Sequence, residues 1–184
     1  ILFTSDNGPW YNGSPGGFRG RKGQSYEGGY RVPFIVKWPG RSRAGAVCTE
    51  PAMNIDLFPT LSAAAGLALP SDRIIDGKNI GGLISGREAR SPHNVLYFYH
   101  YEELEGIRQG DWKYFRSINH FIWPQPVDKK STFMGKIAKG NFADWPNLYN
   151  LDVDAAECYN QAARYPDVCR SMESAMEKWE KQVA

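Results

Sequence analysis

The chain opens on a short apolar run, Ile1-Leu2-Phe3-Thr4, that breaks into Ser5-Asp6-Asn7-Gly8-Pro9. An apolar run ended by an acid, an amide and two chain-bending residues predicts a buried parallel strand with oxygen groups at its carboxyl end. Residues 6–29 are rich in glycine and lack apolar periodicity, which predicts a long loop of the kind that carries function. Trp10, Tyr11, Phe18 and Tyr26 give that loop the means to pack down. Residues 32–38, with Pro33 near their start and Pro39-Gly40 at their end, predict the next strand. A helix is expected over 57–65, with Asp56 as N-cap, Pro59 in the first turn and Gly66 as terminator. Residues 70–76 read as a loop and 80–84 as a short helical turn. The breaker-rich stretch 85–92 marks a subdomain boundary, dividing the chain into residues 1–90 and 91–184.

Beyond that boundary the pattern changes. Residues 95–101 and 107–109 look extended, Gln109-Gly110-Asp111 reads as a hairpin connection, and 112–117 alternates as a strand should. Residues 120–126 and 147–151 are further strand candidates, while 129–145 is basic and weakly patterned. Over 166–183, Val168, Met172, Ala175, Met176, Trp179 and Val183 recur near helical spacing and predict an amphipathic helix. The fold class expected is α/β, followed by a small α+β subdomain with an antiparallel sheet and a terminal helix. No internal repeat is present.

Composition narrows the field. With 42% hydrophobic and 14% aromatic residues in 184, a packed core is affordable. A net charge of +2 and the lack of a long basic run argue against a nucleic-acid partner. No apolar run approaches the roughly 20 residues that span a bilayer. Cys48, Cys158 and Cys169 are odd in number and lack zinc-ligand spacing, so free thiols are expected. The first residue is not Met and no leader precedes the first strand, so the chain reads as if cut from something longer.

The chemistry-bearing residues cluster early. Asp6 and Asn7 are oxygen donors suited to a hard divalent cation, but they fall well short of the about six to eight oxygens such an ion takes. The alternative is a simple turn after a strand. Lys22, within Gly20-Arg21-Lys22-Gly23, sits where backbone can approach a ligand and an ammonium can act as a point charge. The alternative is a solvated lysine beside Arg19 and Arg21. Neither a Walker loop nor an EF-hand spacing is present. Glu27-Gly28-Gly29 reads as structural, with Glu27 free to pair with Arg31 or a loop arginine. His93, His100 and His120 are isolated and expected to be packed and hydrogen-bonded. Asn12-Gly13-Ser14 matches the glycosylation triplet, but Pro15 argues against its use.

The order of these blocks carries more than any one of them. Thr4-Ser-Asp6-Asn7-Gly-Pro9, then Gly20-Arg-Lys22-Gly23, then Tyr26-Glu-Gly-Gly-Tyr-Arg31-Val-Pro-Phe-Ile-Val-Lys-Trp-Pro-Gly40 resembles the sulfatase family of arylsulfatase type. Asn54-Ile-Asp-Leu-Phe-Pro-Thr-Leu61 with Ala65-Gly66, and Asp76-Gly77 followed by Leu83-Ile-Ser-Gly86, are similar to later landmarks of that family. So are Ile107-Arg-Gln-Gly-Asp-Trp-Lys-Tyr114 and Asn147-Leu-Tyr-Asn-Leu-Asp152 with Glu157 and Asn160. The resemblance implies an alkaline-phosphatase-like fold. By it, Asp6 and Asn7 match calcium ligands, and Lys22 matches the catalytic lysine that holds the substrate sulfate. It implies hydrolysis of a sulfated small molecule or glycan, in a periplasmic, secreted or lysosomal setting.

The resemblance also implies a formylglycine made within Cys/Ser-x-Pro-x-Arg, and this chain contains no such motif. The expectation is therefore a C-terminal portion of a sulfatase, inactive alone, with the nucleophile and the remaining calcium ligands upstream. Two alternatives stand beside it. One is a phosphoester hydrolase of the same superfamily. The other is a non-catalytic fragment that binds sulfated glycans through Arg19, Arg21 and Lys22.

Overall fold

A computed structural model describes residues 1–10, 12–118 and 145–183. Compact packing does not divide this chain at a single point. One unit gathers Ile1–Asp6 with Val32–Asn94, and the other gathers Asn7–Arg31 with Val95–Ala184.

In the first unit, β1 (Leu2–Thr4) pairs with β2 (Phe34–Val36). The pairing is antiparallel, with Leu2 opposite Val36, Phe3 opposite Ile35 and Thr4 opposite Phe34. This corrects the expectation of a buried parallel strand. Directly opposed residues share a face, and Phe3 and Ile35 leave theirs 60% and 63% exposed. An apolar run alone does not tell a strand covered on both faces from one covered on a single face.

Helix α2 (Leu57–Ala64) continues directly from a 3₁₀ turn over Asn54–Asp56. Pro59 lies in its first turn, and Gly66, at φ 71°, ends it. Asp56 holds the N-cap position of the helix as expected, but its side chain makes no capping hydrogen bond to it. Its buried carboxylate instead accepts the Met53 and Lys78 N–H groups at 2.7 and 2.8 Å, and His93 Nε2 lies 2.8 and 2.9 Å from its two oxygens. One side chain thus joins the start of the helix, the loop before α3 (Gly81–Ser85) and the end of the unit. The Thr60 hydroxyl adds a bond from the Ile80 N–H at 2.9 Å.

In the second unit the chain first forms the loop from Asn7 and a single helical turn, α1 (Glu27–Tyr30). Strands β3 (Leu96–His100), β4 (Glu103–Gln109), β5 (Trp112–Phe115) and β6 (Asn147–Asn150) follow. They form an antiparallel sheet in the order β3-β4-β5-β6. The predicted Gly110 turn holds, with Gln109 opposite Trp112 and Gly110 at φ 58°. Strand β4 begins at Glu103, four residues before the predicted start at Ile107. The strand expected over 120–126 lies outside the described residues.

Alternation along β5 and β6 divides the sheet's two faces. Tyr114 and Leu148 join Leu104, Ile107, Cys169, Met172 and Met176, so this face packs on α4 (Pro166–Val183). Phe115 and Tyr149 turn the other way and pack with Tyr26 from the loop. Helix α4 matches its predicted span because its apolar stripe and its sheet contacts coincide. The sheet therefore has a helix on one face and the loop on the other. All three cysteines are free.

Candidate active site

The predicted ligands lie where β1 gives way to the loop. Asp6 is exposed. The carbonyls of Ser5 and Asp6 accept the Asn54 side-chain amide at 3.0 and 3.3 Å, and the Ser5 hydroxyl reaches Asp6 Oδ1 at 3.3 Å. The backbone bearing the carboxylate is thus held within the first unit. Asn7 is half-buried and opens the second unit.

The loop from Asn7 to Arg31 is stitched to itself by its own backbone. Gly8 N–H donates to the Gly29 carbonyl at 2.8 Å, and Lys22 N–H donates to the Pro9 carbonyl at 3.0 Å. Gly28 N–H donates to Arg19 at 2.6 Å, and Gln24 N–H to Arg21 at 3.0 Å. These bonds require close backbone approach. A Cβ on Gly8 would collide with the Gly28 carbonyl and lie 2.8 Å from Gly29 Cα. A Cβ on Gly28 would lie 2.6 Å from the Arg19 carbonyl oxygen. Asn7 and Lys22, fifteen residues apart in sequence, therefore sit on segments bonded to each other at Pro9.

The three cations of this loop have different roles. The Arg21 guanidinium donates to the carbonyls of Trp10 and Gly13 at 2.9 and 2.6 Å, closing the loop's own turns. The Arg19 guanidinium donates to the Tyr149 hydroxyl at 3.1 Å and the Glu157 carbonyl at 2.8 Å, and lies 4.0 Å from the centre of the Tyr26 ring. Both guanidiniums thus have hydrogen-bond partners within the unit, with Arg19 exposed and Arg21 half-buried. Lys22 is exposed, and among the described residues no carboxylate is within ion-pair distance of its ammonium. A pinned backbone with a solvated ammonium at its tip can present a positive charge to a tetrahedral oxyanion.

Glu27 pairs with Arg31 at 3.4 Å, as the sequence suggests, but its main partner is one that sequence reasoning missed. Lys113 Nζ, fully buried, lies 2.9 Å from Glu27 Oε1 and 3.1 Å from Glu157 Oε1. Arg108 approaches Glu27 at 3.8 Å, and the Glu27 N–H donates to Glu157 Oε2 at 2.7 Å. Burial pushes the Glu27 carboxyl up, but Lys113, with Arg108 and Arg31, outweighs it and holds Glu27 below the usual carboxylate range. Burial dominates at Glu157 and keeps its carboxyl above that range despite the pull of Lys113.

The oxygen donors Asp6 and Asn7 fit a hard cation in kind. They fit it only as part of a donor set, since among the described residues no group of three or more His, Cys, Asp or Glu side chains converges on a metal position. No described helix is long and apolar enough to cross a membrane.

A strand leading into an oxygen-bearing turn, a loop with an exposed lysine and a small antiparallel sheet backed by a helix are those of an alkaline-phosphatase-like α/β fold. A family model described as Sulfatase matches residues 1–67, and one described as the C-terminal region of aryl-sulfatase matches residues 91–184. The chain belongs to the sulfatase family.

Human steryl-sulfatase is 34% identical over 178 residues, covering 85% of this chain and 30% of its own length. Rat steryl-sulfatase is 44% identical over 182 residues, covering 92% and 31%. Bovine arylsulfatase A is 34% identical over 173 residues, covering 87% and 32%. The chain thus spans about a third of the length of these relatives. Among solved structures, the PsFucS1 sulfatase from Pseudoalteromonas sp. superposes with a TM-score of 0.78 at 25% identity, covering 98% of this chain and 36% of that one.

Proposed function

We propose that the protein carrying this chain hydrolyses sulfate esters, and that this segment supplies Asp6 and Asn7 as calcium ligands and Lys22 as the group that holds the sulfate. The observation that carries the reading is the bond from the Lys22 N–H to the Pro9 carbonyl. It ties the backbone that carries the exposed Lys22 side chain to the segment that bears Asn7. Bound calcium would polarise the sulfate oxygens. The nucleophile belongs to a motif this chain does not contain, so the 184 residues alone are expected to be inactive. Lys22 binds and orients the sulfuryl group and offsets charge that grows on it and on the leaving oxygen. Sulfated glycans and sulfated small aromatic or steroidal molecules both meet this requirement. Family membership and the likeness to steryl-sulfatase and arylsulfatase sequences support the reaction class.

The test is turnover of a chromogenic aryl sulfate by the intact protein, beside the matching aryl phosphate. Lys22→Ala and Asp6→Ala should each lower the sulfatase rate by about 10²–10³-fold, the usual cost of one charge-stabilising group. Near-normal turnover in either variant removes that residue from the site. A strong preference for the phosphate would favour the phosphoester reading.

A further inference from the structure

The buried charge cluster beneath the Lys22 loop has no part in the reaction as proposed so far. Its members come from three places: Glu27 from the loop, Lys113 and Arg108 from the paired strands β5 and β4, and Glu157 from the chain after β6. Lys113 and Glu157 are 0% exposed. Lys113 Nζ is also enclosed by the rings of Phe98 and Phe115, at 4.1 and 5.1 Å from their centres.

Such a cluster is a poor way to gain stability. Apolar residues of similar volume at a buried ion pair are often as good or better, because desolvation offsets most of the attraction. What buried charges add is a requirement for one arrangement, since any other leaves a charge unpaired in a low dielectric. The backbone at Glu157 agrees. It sits at φ 54°, a left-handed conformation that L side chains other than Asn and Asp rarely adopt. A glycine would relieve that conformation. Glutamate there places one oxygen on Lys113 and the other on the Glu27 N–H.

Further ties converge on the same stretch of loop. The Ser25 hydroxyl donates to Glu105 at 2.5 Å, and the Tyr30 hydroxyl donates to the Tyr99 carbonyl at 2.8 Å. Arg19 reaches Tyr149 and the Glu157 carbonyl. The bonds of Gly28 N–H to Arg19 and Gln24 N–H to Arg21 then pass that position on to the turn that presents Lys22.

We infer that Lys113, through Glu27 and Glu157, is a positioning residue by which the C-terminal sheet sets the place of the Lys22 ammonium. The inference rests on the reading of Lys22 given above. It assigns the C-terminal subdomain a catalytic consequence without any contact with substrate.

The test uses the intact protein, with folding verified by circular dichroism at the assay temperature. Lys113→Met should lower kcat for an aryl sulfate by about 10²-fold, the scale of a group misplaced by roughly an ångström, with KM changed far less. In a Lys22→Ala background the same substitution should cost little more, because its effect runs through the missing ammonium. Hydrogen exchange should quicken at the amides of residues 19–29 and stay slow in α4. Lys113→Arg, which retains the charge, should recover part of the loss. Should Lys113→Met fail to fold, Glu157→Gln is read in the same way, since it leaves an acceptor for the Glu27 N–H.

Additive losses in the double variant, or unaltered exchange at 19–29 alongside a clear Lys22→Ala defect, would overturn the positioning role alone. Full turnover in Lys22→Ala would overturn the reading of Lys22, and the positioning role with it.

Discussion

The two compact units are held together by opposite means. In the second, apolar side chains from four strands and α4 close a core, and a second cluster seals the loop face. In the first, Pro59, Ile80 and Leu83 are the only apolar side chains that are buried among the described residues. Phe3, Ile35, Ile55, Phe58 and Leu61 leave large apolar areas in solvent. A polar hub, Asp56, does there what apolar packing does in the second unit. Where a segment keeps its shape with so little of its own apolar surface covered, hydrogen bonds to the backbone carry the specification.

The sharpest way to break this contrast is to remove the hub. Asp56→Ala leaves the Met53 and Lys78 N–H groups and the His93 ring without their acceptor in a buried place. At about 1–3 kcal/mol for each unsatisfied buried group, the loss should reach about 3 kcal/mol or more. It should appear in denaturant unfolding as early loss of the first unit, with protection of α4 retained. An effect below about 1 kcal/mol would show that the first unit rests on apolar contacts after all.

The second test asks how the buried charges of the second unit respond to pH. Glu27 is held below the usual carboxylate range, so its contribution is full above that range and is lost as pH falls through its lowered folded pKa. Glu157 is held above the range, so the sign reverses. The folded state binds that proton more tightly than the unfolded chain does. Its contribution is present below the ordinary carboxylate pKa and is lost as pH rises through the raised one. Melting temperature against pH should therefore show two losses, one on the acid side and one at higher pH. Glu157→Gln should abolish the higher-pH loss and spare the acid one. Persistence of both would mean that another group titrates there.

What the sequence disclosed follows the same division between local and distant causes. Helix α4 and the Gly110 hairpin were legible because each is set by residues within a few positions of one another. Asp6, Asn7 and Lys22 were singled out by residue type and by the order of the blocks around them. The bond that joins the Lys22 segment to Pro9 had no local signature. Lys113 was hidden for a physical reason. In Trp112-Lys113-Tyr114-Phe115, alternation assigns the lysine to a solvent-facing position. Its partner Glu27 lies 86 residues away, on a loop that covers that face. The early start of β4 was hidden likewise, because Glu105 reads as polar and exposed, yet it is buried against Ser25. The antiparallel sense of β1 depends on a partner strand some thirty residues on, which no pattern within residues 1–4 could convey.

The smallest effect expected tests the apolar side of the comparison. Arg116 joins the sheet to α4, donating to Glu173 at 2.7 Å and to both oxygens of Glu180 at 2.9 and 3.1 Å. The Tyr114 hydroxyl shares Glu173 at 2.9 Å. These bonds tie the helix to the sheet through several charged groups, but those charges are about a third exposed. Water and salt screen such pairs, and their measured worth is about 1 kcal/mol or less. Met172 and Met176 lie beneath it, both essentially buried. If the second unit is held by its core, Arg116→Ala should cost about 1 kcal/mol, and less at high salt. Met176→Ala should cost about 2–5 kcal/mol regardless of salt. A larger loss from the arginine than from the methionine would make α4 a helix held by its ions, and the two units would then differ only in degree.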